Sequence, residues 1–134
     1  LVLKSLPKAK SLQLELESTF QSVEEATRKV ELFLGKGSGF DLLPLREVLT
    51  NAIEHGNRFD PHKQVILNVT ETDRYVKMIV QDQGEGFNWQ KELEKSLNPE
   101  SLEERGRGIF LAKMASDFLS YNSRGNRATI VRLL

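Results

Sequence analysis

The stretch Leu45–Asn57 reads LREVLTNAIEHGN, and its polar and apolar residues recur at helical spacing. Glu47, Asn51 and His55 are four residues apart, so a helix brings them to one face, while the apolar residues lie on the other and favour packing against a sheet. A carboxylate, an amide oxygen and an imidazole over two turns offer a general base, a metal ligand and a phosphate contact. An ordinary solvated helix face has the same pattern, so the rest of the chain must distinguish the two interpretations.

The length and composition are those of one small globular domain. We expect a single domain over residues 1–134, long enough for one two-layer core, with residues 1–10 as an entry segment. Nineteen basic and nineteen acidic residues balance, which gives no sign of a nucleic-acid or membrane partner. The absence of cysteine excludes disulfides and thiolate chemistry and is expected of a cytoplasmic protein.

The order of the strand and helix patterns predicts an α+β fold. Alternation at period two predicts strands, and apolar spacings of three and four predict helices. We expect a strand at Ser11–Glu17, a helix at Phe20–Leu34, the helix at 45–57 with Asp41 as its N-cap, a hairpin over Gln64–Asp82, helices at Trp89–Leu97 and Ile109–Leu119, and strands at Tyr121–Ser123 and Ala128–Leu134. The sum is a two-layer sandwich, a mixed but mostly antiparallel sheet covered on one face by about three helices.

A glycine loop, DQGEGF over residues 82–87, follows the second strand of the hairpin. Asp82 stands at the rim of the sheet, where an ionised carboxylate can accept a hydrogen bond from an exocyclic amine such as that of adenine. Gly84 and Gly86 allow the backbone to turn sharply and to approach a flat ligand closely. Aspartate and glycine are also the residues of an ordinary turn, so this loop alone identifies no ligand.

A second glycine motif, RGRG over residues 105–108, stands where a loop becomes a helix. The unpaired N–H groups and the positive dipole at a helix start favour phosphate oxygens, and Arg105 and Arg107 add charge-assisted contacts. A plain helix start with solvated arginines is the alternative. The mainly polar segment 89–104 between the two motifs has the length of a lid that orders over a ligand.

The order of these motifs resembles that of a known superfamily. NAIEHGNRFDP, a hairpin, DQGEGF and RGRGIFLAKMASD follow one another as in the ATP-binding domains of gyrase, the heat-shock chaperones, MutL and the histidine kinases, the Bergerat-fold superfamily. Within it, the chain looks most like the bacterial anti-sigma-factor serine/threonine kinases, from Leu12 to Leu134. The resemblance implies ATP and Mg²⁺ as cofactors.

The resemblance also implies a role for each matching residue. Glu47 would be the base that activates the attacking hydroxyl, Asn51 would hold Mg²⁺ against the phosphates, and Asp82 would accept a hydrogen bond from the adenine amine. The other implied nucleotide contacts are His55 near the phosphates, Gly84 and Gly86 at the base pocket, Arg105, Gly106, Arg107 and Gly108 around the phosphates, and Thr129 near the adenine.

The implied function is an ATP-dependent serine/threonine protein kinase that phosphorylates an anti-anti-sigma partner of the STAS type. Sequestration of a sigma factor and a homodimeric state are compatible with the same resemblance. Two alternatives stay open. One is the catalytic domain of a histidine kinase, which needs an acceptor histidine other than His55 and His62. The other is a nucleotide-gated protein-binding module with little catalysis.

Overall fold

The computed structural model describes residues 9–35, 41–91 and 116–134, which form one layer of helices on an antiparallel sheet. The elements are β1 (Lys10–Glu17), α1 (Phe20–Leu34), α2 (Leu43–Asn51) with a π-helical turn (Ala52–Gly56), β2 (Gln64–Glu71), β3 (Tyr75–Gln81), β4 (Phe118–Tyr121) and β5 (Arg127–Leu133). The five strands stand in the order β1-β2-β3-β5-β4. No helix in these three ranges is long and apolar enough to cross a membrane.

The core lies between one face of the sheet and the apolar stripes of the helices. The buried strand residues alternate along each strand, as expected for a sheet covered on one face; they are Leu16, Val65, Leu67, Val69, Val76, Met78, Val80, Leu119, Ala128 and Ile130. They form one hydrophobic cluster with Val23, Ala26, Val30, Leu45, Val48, Leu49 and Ile53 of the helices. The predicted α+β class is confirmed, and every described strand pair is antiparallel.

Helix α1 begins and ends where its sequence predicts. At its start, Thr19 Oγ1 accepts a hydrogen bond from Ser22 N at 3.3 Å, which satisfies one of the free N–H groups of the first turn. At its end, the N–H of Gly35 donates to Glu31 O at 3.1 Å, and Gly35 adopts a φ of 87°. This positive φ favours glycine and stops the helix.

Helix α2 continues into a π-helical turn that the sequence pattern does not reveal. Asp41, the expected N-cap, accepts a hydrogen bond from Leu43 N at 2.9 Å through its side chain, although the cap position itself is Leu42. At the other end, the N–H of Asn57 reaches back five residues to Ala52 O at 2.8 Å. Such wide turns are rare and often occur at functional sites.

The C-terminal region differs from the prediction at the helix expected over Ile109–Leu119 and at the strand expected over Tyr121–Ser123. The apolar spacing of residues 109–119 predicts a helix, but Phe118–Tyr121 form β4, with Leu119 opposite Ile130 of β5. Leu119 is buried and Phe118 is exposed, which is the alternation of a strand. Residues 109–115, and residues 92–97 of the helix expected to start at Trp89, lie outside the described residues.

One buried amide joins three segments directly after the π-helical turn. Asn57 is 1% exposed, and its Nδ2 donates to Ser18 Oγ at 3.1 Å and to Gln64 O at 3.0 Å. Its Oδ1 accepts a hydrogen bond from Gln83 N at 2.7 Å. Since these partners stand before α1, at the start of β2 and after β3, this side chain ties the loop after β3 to the helical layer.

Substituting Asn57→Ala should therefore destabilise the fold by about 2 kcal/mol, because it removes the partner of the Gln83 N–H and one partner of Gln64 O. The Ser18 hydroxyl keeps its hydrogen bond to Lys63 O. The measurement is urea unfolding followed by circular dichroism. Asn68→Ala, on the helix-free face of β2, is the matched control and should change the free energy of unfolding by less than about 0.5 kcal/mol. A loss below about 1 kcal/mol for Asn57→Ala would show that the three bonds contribute little.

Candidate functional site

Asp82 lies directly after β3 and is a buried carboxylate, 7% exposed. Its backbone N–H donates to Asn126 O at 3.0 Å, which extends the pairing of β3 with β5 by one residue. Its Oδ1 accepts a hydrogen bond from Gly84 N at 2.8 Å. A rigid strand end and these two backbone hydrogen bonds hold the carboxylate in place.

The environment of Asp82 disfavours its charge. Burial raises the pKa of Asp82 from 3.8 to about 6, because desolvation penalises the ionised form. The Gly84 N–H and the positive charge of Lys63 act in the opposite direction. The carboxylate is thus ionised but poorly hydrated at neutral pH, and an amine donor on a ligand would replace part of the hydration that it has lost.

Two glycines bring the end of the π-helical turn against the loop that follows β3. A Cβ atom on Gly56 would lie 2.5 Å from the Asp82 carboxyl carbon, and one on Gly84 would lie 2.1 Å from Gly56 O. Both distances are far below van der Waals contact, so each position requires glycine. Gly84 is thereby explained as a close-approach glycine, and Gly56, at the end of the π-helical turn, has the same role.

Asn51 and Asp82 line one narrow cleft at this end of the sheet. Tyr121 of β4 and Asn126 complete its polar lining, and apolar side chains including Val48 and Phe87 form the rest. The cleft encloses only about 10 Å³, which is about the room for one water molecule and far less than a typical small-molecule pocket. The structure therefore brings together the two residues on which the expected ligand contacts depend.

Two buried polar atoms in the cleft lack a hydrogen-bond partner among the described residues. They are Asn51 Nδ2 and the hydroxyl oxygen of Tyr121. Buried polar groups in folded proteins are nearly always paired, so each of these atoms calls for an explanation. The two atoms are neighbours, because the Asn51 side chain acts on the Tyr121 hydroxyl as a hydrogen-bond donor. The amide can therefore partly satisfy the Tyr121 oxygen, and the hydroxyl hydrogen of Tyr121 is left for a ligand or water.

Glu47 and His55 lie near the cleft on the same helix but outside its lining. Glu47 is half-buried one turn before Asn51. His55 lies in the π-helical turn, with its Nε2 3.6 Å from Glu54 Oε2. The wider turn changes the angular position of His55 relative to Asn51, but residues four apart in such a turn still share one face, so the polar stripe extends to His55.

The remaining expected site residues fall into three situations. Gly86 has a φ of 89°, and a Cβ atom there would lie 1.7 Å from Arg124 O, so this glycine packs the loop against the β4–β5 turn. Thr129 lies between the buried residues Ala128 and Ile130 on β5, so its side chain projects from the opposite face of the sheet and is not brought to the cleft. Residues 105–108 lie outside the described residues.

Three residues of the site escape the sequence analysis. Tyr121 and Asn126 line the cleft, and Gly56 contacts Asp82. Asn126 could have been found from its place next to Gly125, because the turn before β5 lies opposite the end of β3. Thr129 lies three positions further along β5, away from that end. The sequence offers no comparable signal for Tyr121, whose position depends on where β4 begins.

Comparisons with known proteins identify a family for this chain. The sequence pattern of the histidine kinase-like ATPase domain family matches residues 42–134. The chain is also 33% identical over 90 residues to an anti-sigma F factor of Bacillus subtilis strain 168, a match that covers 65% of this chain and 61% of that protein. The chain thus spans about three fifths of the length of this curated relative.

The raised pKa of Asp82 makes stability depend on pH. An acid with a higher pKa in the folded state binds its proton more tightly when folded, so its stabilising contribution is complete below about pH 4 and is lost as the pH rises through about 6. Asp82→Asn should therefore stabilise the free protein at pH 7 by about 2 kcal/mol, a value discounted for solvent at the cleft, and by almost nothing at pH 4.

Urea unfolding at several pH values between 4 and 7 measures this difference. Asp73→Asn, in the exposed β2–β3 turn, is the control and should show no such trend. An Asp82→Asn protein that is less stable than the parent at pH 7, or that differs from it equally at both pH values, would contradict the inferred desolvation.

Proposed function

We propose, since the chain belongs to the family of histidine kinase-like ATPase domains, that it is an ATP-dependent serine/threonine protein kinase of a bacterial partner-switching pathway. The observation that carries the proposal is the meeting of Asp82 and Asn51 in one cleft. These side chains come from the end of β3 and from α2, two elements that the chain separates by 31 positions. Membership of an ATPase family accounts for their meeting.

The chemistry of the cleft suits an adenine nucleotide. The poorly hydrated carboxylate of Asp82 would accept a hydrogen bond from the adenine amine. The glycine contact between the π-helical turn and the loop at Gly84 leaves no side chain between Asp82 and a flat base. Because the cleft is narrow in the described part of the chain, nucleotide binding requires its walls to separate or adjust.

The Asn51 side chain fits the role of a Mg²⁺ ligand beside the phosphates. Its Nδ2 is buried in the cleft without a partner among the described residues, and rotation of the amide by half a turn would present the oxygen instead. Mg²⁺ prefers oxygen ligands and commonly binds one or two protein groups together with substrate phosphates. When bound, it would neutralise phosphate charge.

Glu47 is the proposed general base. It lies one turn before Asn51 on α2, a spacing that places the two side chains on the same helix face. A carboxylate beside the metal-binding residue can accept the proton of an attacking serine or threonine hydroxyl. Phosphoryl transfer otherwise needs mainly positioning and charge neutralisation, so a small domain with this residue set is sufficient.

The proposed protein substrate is an anti-anti-sigma partner of the STAS type, and a sigma factor is a second proposed partner. The similarity to a protein named anti-sigma F factor supports this assignment. Addition of a phosphate to the STAS-type partner introduces about two negative charges. These charges can dissociate its complex with this chain and release the chain to bind the sigma factor. Such a pathway would operate in the cytoplasm.

Glu47→Gln should separate binding from catalysis. Its affinity for Mg-ATP should stay within about threefold of the parent, whereas transfer of labelled γ-phosphate to a purified STAS-type partner should fall by about 100-fold or more, because the base is lost. Glu25→Gln, exposed on α1, is the matched control and should change neither quantity.

Other outcomes have distinct meanings. Loss of nucleotide binding together with transfer in Glu47→Gln would contradict the role of the base. A parent protein that forms tight nucleotide-dependent complexes but transfers no phosphate to any partner would favour a nucleotide-gated binding module, for which the position of Glu47 outside the cleft lining is the supporting observation.

A further inference from the structure

We infer that the hydroxyl group of Tyr121 determines base specificity by donating a hydrogen bond to the ring nitrogen next to the amine that Asp82 accepts. This inference rests on the proposed nucleotide-binding function and extends it to a residue that no family motif in the sequence marks. Tyr121 is the last residue of β4. It reaches the cleft from the strand at the edge of the sheet, on the face that the helices cover.

The aromatic neighbours of Tyr121 hold its ring in one orientation. Phe87 meets the ring edge to face, with 5.2 Å between centroids. Trp89 stacks on it at 5.7 Å, with 29° between the ring planes. Contacts of these two kinds are the preferred geometries of aromatic pairs. The ring, and with it the hydroxyl group, is therefore positioned by packing.

The position and state of this hydroxyl suit a ligand contact. Its oxygen is buried and has no hydrogen-bond partner in the described ranges. The Asn51 side chain is its hydrogen-bonding neighbour and would donate to the oxygen, which leaves the hydroxyl hydrogen free to donate to a ligand in the cleft that Asp82 also lines. A tyrosine hydroxyl is protonated at neutral pH, so the group can act as a donor.

Donor and acceptor positions on the purine edge match this pair of side chains. Adenine presents its amine, a donor, directly beside N1, an acceptor, and the Asp82 carboxylate and the Tyr121 hydroxyl line the same cleft. Guanine presents a carbonyl oxygen and an N–H group at the same two positions, so its oxygen would face the carboxylate. A site whose buried polar groups would remain unpaired rejects the wrong ligand strongly.

The test combines a side-chain change with a ligand change. Tyr121→Phe keeps the aromatic packing and removes only the hydroxyl, and 1-deaza-ATP keeps the amine and removes only the ring acceptor. Tyr75→Phe is the matched control, because Tyr75 stands at the other end of β3, roughly 20 Å from Asp82 along the strand, and on the face without helices. Isothermal titration calorimetry with Mg²⁺ measures the affinity for ATP, 1-deaza-ATP and GTP.

The expected result is a loss of about tenfold in ATP affinity for Tyr121→Phe, and a loss of similar size when the parent protein binds 1-deaza-ATP. The two losses should not add, and the preference for ATP over GTP should fall in the variant. Tyr75→Phe should match the parent in all three titrations.

Two results would overturn the inference alone: ATP affinity within twofold of the parent for Tyr121→Phe, or fully additive losses from the two changes. In both cases the parent protein still binds Mg-ATP, so the proposed function stands. Failure of the parent and of Tyr75→Phe to bind Mg-ATP would overturn the proposed function and this inference with it.

Discussion

The close contact between the Gly56 backbone and the Asp82–Gly84 loop is the constraint on which the site depends. No side chain separates the two segments, and a single Cβ atom on either glycine would overlap its neighbour. The contact requires a helix that ends at the right height above the sheet, and the π-helical turn provides that end. Asn57, one residue further, then hydrogen-bonds to the loop at Gln83 and to the starts of α1 and β2. Backbone geometry thus delivers a carboxylate to the rim of the sheet.

The same contact lowers the stability of the ligand-free protein and leaves groups that a ligand can pair. Asp82 is held in a poorly hydrated position where its charge is disfavoured, and two polar atoms beside it lack partners among the described residues. Both features cost free energy in the free protein. Both are relieved by a ligand with a donor for Asp82 and polar groups for Asn51 and Tyr121. Functional sites commonly carry such costs, because groups that a ligand will pair are left short of partners before it binds.

Much of the fold follows from the sequence because its periodicities are unambiguous. The alternation in β1 and in the β2–β3 hairpin and the helical spacing of α1 give the correct elements within about one residue of each end. Phe118 and Leu119 are different, because two adjacent apolar residues satisfy both a helical and a strand pattern until their partners on β5 are known. The π-helical turn has no sequence signature, and it changes the position of His55 relative to Asn51.

The site follows from the sequence only in part, for a related reason. The order of the motifs and the family resemblance indicate Asn51 and Asp82, whose local patterns alone also fit a solvated helix face and an ordinary turn. Successive side chains of a strand point to opposite faces of the sheet, so an error of one position in β5 moves a side chain away from the cleft. Thr129 is on the far face for this reason, and the residues at the cleft are Asn126 and Ala128. Tyr121 can be recognised as a cleft residue only when the position of β4 in the sheet is known.

The most direct test of the account is an NMR titration of the isotopically labelled protein with Mg-ATP, read at the backbone amides. The account predicts saturable shifts centred on Gly56, Gly84 and Asn126, the backbone of the cleft. It would be contradicted by no shifts at millimolar nucleotide, or by shifts confined to the groove between β1 and α1 near Glu17 and Glu25, on a different part of the described surface.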